Sequence, residues 1–404
     1  MKIFFSVGEP SGDLHGANLV ESLRAQVPGV RCVGYGGPRM EAAGCELHED
    51  LTRHALMGFL PVIGRLPMFY RLMKRAEKFF EEDPPDAVVL IDYPGFNWWI
   101  AKKAQQSGIP VFYYGVPQVW AWARWRVGKM KRLVDHVLCK LPFEKEWYEK
   151  RGCQANYVGH PYFDELIERQ LDQEFLDKQA AKPGRLVSIL PGSRSRVVAR
   201  QLPVFLKAAQ RVQDQLGDVR FAIASFNGQQ AQMARQLVQK SGLDVEIHLD
   251  KTGELIEACH CAMACSGSVS LELMYHEKPA TILYKVNFLQ QVTNRLLVRV
   301  RYMTLVNLIA SEKRFDWLVQ NYDPERLEGA EVPLPEYPTC RDKSAAIARH
   351  TIRWLEDHER QQQTTEWLHR LSAQYAKAGA TRRAAGYIIK VLGQDASGAR
   401  PDAA

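Results

Sequence analysis

Two short runs in the second half of the chain, Leu190-Pro-Gly-Ser-Arg194 and Ser266-Gly-Ser-Val-Ser-Leu-Glu272, have residue types suited to holding a diphosphate. Each follows an apolar, strand-like stretch (residues 186–190 and 261–265) and leads into a helix-forming segment. A strand that ends in Gly and Ser and feeds a helix aims free backbone N–H groups outward at the positive end of the helix dipole, where phosphate binds. Gly192 and Ser193 form the first such loop, and Arg194 adds a planar, permanently charged fork. Ser266, Gly267, Ser268 and Ser270 form the second, and Glu272 lies one to two turns further on, where a carboxylate suits ribose hydroxyls. Neither run is a Walker loop or a Gly-x-Gly-x-x-Gly fingerprint. The chemistry they indicate is a nucleoside diphosphate held by N–H groups and a guanidinium.

The first half offers a different set. Gly8-Glu-Pro-Ser-Gly-Asp13 ends the first apolar stretch and precedes a helix, a position where open α/β sheets bind ligands. Glu9, Ser11, Gly12 and Asp13 are therefore candidates for a cleft; the simpler reading is a turn with Ser11 or Asp13 as N-cap. Asp92 follows Val88-Val-Leu-Ile91 directly, in Ile91-Asp-Tyr-Pro-Gly-Phe-Asn97, whose Asn97 is a further candidate for the acceptor side of the cleft. A carboxylate at the end of a wholly apolar strand opens on solvent while its neighbours are buried, which suits a general base. Helix capping is the competing role. His160, in Tyr157-Val-Gly-His-Pro161, closes the first half beside the same expected cleft; Asn307, inside Leu305-Val-Asn-Leu308, needs a partner if buried.

The elements that must position these residues alternate. Strand signals at 3–7, 31–35, 87–91, 111–114, 134–139 and 155–158 are separated by helical segments such as 14–26 and 98–107. After a polar stretch at 171–184, read as a linker, strands at 186–190, 220–224, 245–248, 261–265 and 280–284 alternate with helices again. Short, continuously apolar strands between helices indicate parallel sheets covered on both faces. The fold class expected is α/β: two Rossmann-like, doubly wound domains facing a cleft. The division expected is 1–175, 185–340, helices at 341–392 packing back on the first domain, and a disordered tail at 393–404.

With 404 residues, 46% hydrophobic and 25% charged, the chain is of ordinary globular composition. No window approaches the roughly 18 apolar residues of a membrane span. The start, Met1-Lys-Ile-Phe-Phe-Ser-Val-Gly8, is too quickly polar for a signal peptide, so the cytoplasm is expected. Cys259, Cys261, Cys265 and His260 match no zinc-site spacing and read as a buried strand, so no metal is expected. Net charge is +7. Part of it lies in 115–132, where three tryptophans alternate with basic residues, a pattern compatible with nucleic acid, a lipid interface or a basic amphipathic helix. Residues 56–78 are apolar yet basic along one edge, with Pro61 and Pro67 read as breaking them into short pieces. Phe59, Leu66 and Phe69 with Arg65 and Arg71 suit a peripheral membrane or acyl-chain contact, a buried helix being the alternative.

Eight runs occur in the order found in one enzyme family. They are Gly8-Glu-Pro-Ser-Gly-Asp13, Gly36-Gly-Pro-Arg-Met40, Ile91-Asp-Tyr-Pro-Gly-Phe-Asn97, Pro117-Gln-Val-Trp-Ala-Trp122, Leu141-Pro-Phe-Glu144, Tyr157-Val-Gly-His-Pro161 and the two diphosphate runs. On these, from Met1 to about Ala310, the chain resembles the lipid-A-disaccharide synthases. The resemblance implies a GT-B fold and an inverting transfer that needs neither metal nor cofactor. UDP-2,3-diacylglucosamine would be the donor, 2,3-diacylglucosamine 1-phosphate the acceptor, and a β-1,6-linked disaccharide 1-phosphate and UDP the products. It further implies Asp92 as base, and Arg194, the 266–270 loop, Glu272 and Asn307 on the UDP side. The partners expected are the two lipid sugars and the anionic inner face of the cytoplasmic membrane. A homodimer is compatible with this reading, and nucleic acid is not expected. Rival readings are a UDP-N-acetylglucosamine 2-epimerase or cell-wall transferase of the same architecture, and a basic nucleic-acid-binding protein.

Overall fold

The computed structural model describes residues 1–54, 64–316, 322, 324–325 and 331–397. The chain divides into two compact units, residues 1–167 with 377–404 and residues 168–376.

The first unit is built on seven parallel strands: β1 (Lys2–Val7), β2 (Arg31–Gly36), β3 (Glu46–Asp50), β4 (Ala87–Ile91), β5 (Val111–Tyr114), β6 (His136–Cys139) and β7 (Ala155–Tyr157). Their order is β3-β2-β1-β4-β5-β6-β7. All five residues of β4 are buried, as a central strand covered on both faces requires. The order reverses between β1 and β4, which pair from Ile3 opposite Ala87 to Val7 opposite Ile91. Loops leaving these two strands therefore part company at one point on the sheet's carboxyl edge.

The second unit repeats the plan with β8 (Arg185–Leu190), β9 (Val219–Ser225), β10 (Val245–Leu249), β11 (Cys261–Cys265), β12 (Ala280–Lys285) and β13 (Glu336–Thr339). These are parallel in the order β10-β9-β8-β11-β12-β13. Here the reversal falls between β8 and β11.

Three expected boundaries move. The 171–184 stretch is not a plain linker: Gln173–Ala180 is a helix of the second unit, its N-terminus capped by Asp172, whose carboxylate accepts the Phe175 N–H at 3.0 Å. The terminal helices do not act as one block. Ser344–Glu356 buries Ile347, Ile352 and Trp354 among Val198, Leu202 and Phe205 of the second unit, and His358–Tyr375 stays with that unit too. Only Ala380–Ser397 joins the first, where Ala384, Ala385, Ile388 and Leu392 lie in one apolar cluster with Leu19, Val20 and Leu23. Its helix runs through part of the expected tail, to Ser397; residues 398–404 lie outside the described residues.

The 56–78 segment also reads differently. Leu66–Glu82 is a single 17-residue helix, because Pro67 sits in its first turn, where no N–H partner is lost. Phe59 and Pro61 lie outside the described residues. Phe69 is 5% exposed and packs as core, so it cannot face lipid; Leu66 and Arg71 are exposed and Arg65 is half-buried. Among the described residues no helix is long and apolar enough to cross a membrane, and no group of His, Cys, Asp or Glu has a metal-holding arrangement.

Candidate active site

At the reversal point of the first sheet, β1 ends at Val7 and the helix Pro10–Gln26 begins at once, with Glu9 as N-cap residue. Asp92 and Tyr93 leave β4 with φ of +47° and +44°, two consecutive left-handed non-glycine residues. Such backbone costs about 1–3 kcal/mol per residue and persists only where its surroundings hold it. The hold is visible. Asn97 Nδ2 donates to the carbonyls of Asp92 (2.8 Å), Ser6 (3.1 Å) and Ile91 (3.3 Å), and Tyr113 Oη donates to the Asp92 carbonyl at 2.6 Å. Ser6 Oγ in turn donates to Asn97 Oδ1 at 2.6 Å. Asn97 is fully buried, so its part is to position Asp92.

The Asp92 side chain is 27% exposed, and Lys140 Nζ lies 3.7 Å from its Oδ1. Glycines make the room. A Cβ at Gly8 would fall 2.4 Å from the Tyr93 ring, and one at Gly12 would stand 2.9 Å from Val7 and 3.8 Å from Asp92 Oδ2. Ser11 is exposed and Glu9 half-buried on this edge. Asp13 points elsewhere: its carboxylate accepts the N–H groups of Gly37 (2.9 Å), Arg39 (3.1 Å) and Met40 (3.1 Å), capping the helix Pro38–Ala42. The capping role expected for it is real, but it serves a different helix.

Two histidines stand nearby. His160 Nδ1 accepts the Tyr162 N–H at 3.2 Å, which leaves the ring proton on Nε2; burial, then Lys140 and His15, hold its pKa well below the usual value. His15 Nδ1 lies 3.6 Å from Glu165 Oε1, and burial, reinforced by the Lys140 ammonium, brings its pKa down to about 3. Both are neutral at pH 7.

In the second unit, the two diphosphate runs leave β8 and β11, adjacent strands that flank the reversal. Gly192 (φ +116°) turns the first loop so closely that a Cβ would meet Val197 at 3.0 Å and Cys265 Sγ at 3.2 Å. Ser193 and Arg194 are exposed, and the 21-residue helix Ser195–Gln215 starts immediately after. The buried Gln230 fixes this loop, its Nε2 donating to the Ser193 carbonyl at 2.7 Å. Gly267 and Ser268 are exposed and Ser266 is half-buried.

Three residues of the expected UDP set are support instead of surface. Ser270 is buried, its Oγ donating to the Gly267 carbonyl at 2.9 Å. The Glu272 side chain is 3% exposed and takes Arg169 Nη1 at 2.5 Å. Asn307 is wholly buried: its Nδ2 donates to Leu334 O (2.7 Å) and Glu336 Oε2 (2.9 Å), and its Oδ1 accepts the Leu334 N–H at 3.2 Å. Glu336 also accepts the N–H groups of Met303 (2.7 Å) and Thr304 (2.9 Å).

Lys140, Gln230 and Glu336 were absent from the sequence reading. Lys140 had a signal, the basic residue opening Lys140-Leu-Pro-Phe-Glu144 at the end of β6. Glu336 had none, because its side-chain partners lie 29–33 positions away.

Two Rossmann-like sheets, each with its polar loops at the strand-order reversal, define an α/β protein of GT-B type. Solved structures of that architecture superpose along the chain: the S. aureus MnaA–UDP co-structure (TM-score 0.62, 13% identity, 97% of each chain) and the calicheamicin glycosyltransferase CalG4 (TM-score 0.58, 14% identity, 98% of this chain and 99% of that one). At such identities they establish the fold. Residues 3–367 match the family model of lipid-A-disaccharide synthetase, and the chain belongs to that family. Similar relatives are the lipid-A-disaccharide synthases of Geobacter metallireducens (32% identical) and Trichlorobacter lovleyi (34%), each over 97% of this chain and 98% of the relative. The chain is thus a hexosyl-transferring enzyme.

Proposed function

We propose that the protein transfers the diacylglucosaminyl group of UDP-2,3-diacylglucosamine to the 6-hydroxyl of 2,3-diacylglucosamine 1-phosphate. The observation that carries this reading is the placement of complementary chemistry at the same point of two sheets. One edge presents a carboxylate held by strained backbone; the other presents a guanidinium and glycine-loop N–H groups.

Asp92 takes the proton of the attacking hydroxyl as the new C–O bond forms. Lys140 orients the carboxylate and balances its charge. Arg194 with the 192–194 and 266–268 loops receives the negative charge that builds on the departing UDP, and such donors fixed before reaction stabilise it at little reorganisation cost. Ser270 and Gln230 hold those loops, and Asn307 ties its own helix to Leu334 and Glu336. Glu272, buried and paired with Arg169, supports the helix that follows the second loop instead of meeting the ribose. Glu9, Ser11, Gly12 and His160 border the acceptor. The enzyme works peripherally on the anionic inner face of the cytoplasmic membrane, with Leu66, Arg65 and Arg71 among its contacts.

Mass spectrometry of the products from the two lipid sugars tests the reaction. A β-1,6 disaccharide 1-phosphate with one UDP per transfer is expected. Epimerisation of UDP-N-acetylglucosamine without an acceptor would overturn it. Asp92→Asn should lower kcat by roughly a hundredfold or more while the Kd for UDP holds.

A further inference from the structure

The helix Phe288–Leu297 is amphipathic but inverted. Asn287 and Gln290 form a capping box at its start, so the helix is well defined. Its half-buried positions are the polar Gln291 and Asn294, and Gln291 Oε1 accepts the Cys340 N–H at 2.7 Å. The opposite stripe, Leu289, Val292, Thr293 and Leu296, has the i, i+3, i+4, i+7 spacing of a buried face, yet Leu289 is 73% and Leu296 63% exposed. Phe288 beside them is 74% exposed. Single exposed apolar residues need no explanation, but a helix that turns its polar side to the protein and its apolar stripe to solvent does.

In sequence the segment is acid-free: no acidic residue occurs from Lys278 to Ser311. Lys285, Arg295 and Arg299 lie beside or within the helix, whereas Lys278 precedes β12 at the other edge of the sheet and Arg301 is buried and paired with Glu331. The helix follows β12, next to β11, so it rises from the same carboxyl edge as the 266–268 loop. An apolar stripe in a basic, acid-free segment has the composition of a helix that lies in an anionic lipid surface.

We infer that Phe288–Leu297 is a membrane-docking helix of the second unit, laying Leu289, Val292 and Leu296 into an anionic bilayer. This deepens the peripheral-membrane reading by giving it a specific surface, and its readout is lipid binding, independent of any transfer. Full-length protein is sedimented with phosphatidylglycerol or phosphatidylcholine vesicles. The wild type should bind the former preferentially. Leu289→Ser/Val292→Ser/Leu296→Ser should cut the bound fraction by roughly tenfold or more, with oligomeric state and Tm unchanged. Thr293→Leu, which completes the stripe, should raise it; if the triple variant fails to fold, absence of this gain overturns the inference. Undiminished binding by the triple variant would overturn the helix as the contact while leaving peripheral association standing. A wild-type dimer that the triple variant dissociates would give the stripe to a second copy of the chain, and no binding by the wild type would overturn both readings.

Discussion

Lys140 Nζ stands 3.7 Å from Asp92 Oδ1, and a Cβ at Gly115 would lie 3.1 Å from that ammonium and 3.4 Å from that carboxylate. Gly115 also has φ +70°, a region that L side chains seldom adopt. The pair occupies a recess that only glycine leaves open. Gly115→Ala should therefore displace it, lowering kcat while the Kd for UDP, which the proposed mechanism assigns to the other sheet, stays within about twofold of wild type. Steady-state kinetics with calorimetric UDP titration separates the two.

Arg194 follows a loop whose carbonyl is pinned by Gln230, so its backbone is set before ligand arrives. Arg194→Ala should weaken UDP binding by roughly tenfold to a hundredfold, the worth of one charge-assisted contact. Turnover should fall with it, and normal kinetics would remove Arg194 from the phosphate site.

Asn307 spends both ends of its amide on Leu334 and Glu336. Asn307→Ala takes one donor from the buried Glu336 carboxylate, which keeps Met303 and Thr304, and leaves the Leu334 carbonyl and N–H without their side-chain partner. It should cost the second unit roughly 2–4 kcal/mol in denaturant unfolding. A stable Asn307→Ala protein with lost UDP affinity would return this residue to direct contact.

His15 is buried and neutral, with a pKa of about 3 against 6.5 in the unfolded chain. Below pH 6.5 the unfolded state binds the proton that the folded state refuses, so stability is present above that pH and falls as pH drops toward 3. The slope is about 1.4 kcal/mol per pH unit. His15→Gln should flatten unfolding free energy against pH by one proton over that window.

What the sequence made legible was whatever a strand end encodes locally. Asp92 after four apolar residues and Gly192 before an arginine both read as loop chemistry, because burial on one side and polarity on the other lie within a few positions. Roles set by distant partners did not read. Asp13 caps a helix some 25 residues on, and Asn307 answers to a strand, Glu336–Thr339, that is too short and too polar to announce itself. The residues of 341–392 read as helical throughout, but a helical signal carries no address, and the structure sends Ser344–Glu356 and Ala380–Ser397 to different cores. Which core each one enters depends on complementary surfaces elsewhere in the chain.

That last helix has a consequence for how the molecule is made. Ala384, Ala385, Ile388 and Leu392 complete an apolar cluster whose other members come from the first 158 residues. On a ribosome the second unit emerges before them, so the half of the protein synthesised first is the half whose core closes last. Until then Leu19, Val20 and Leu23 wait uncovered, and a chain truncated before residue 380 should be a substrate for chaperones instead of a folded enzyme.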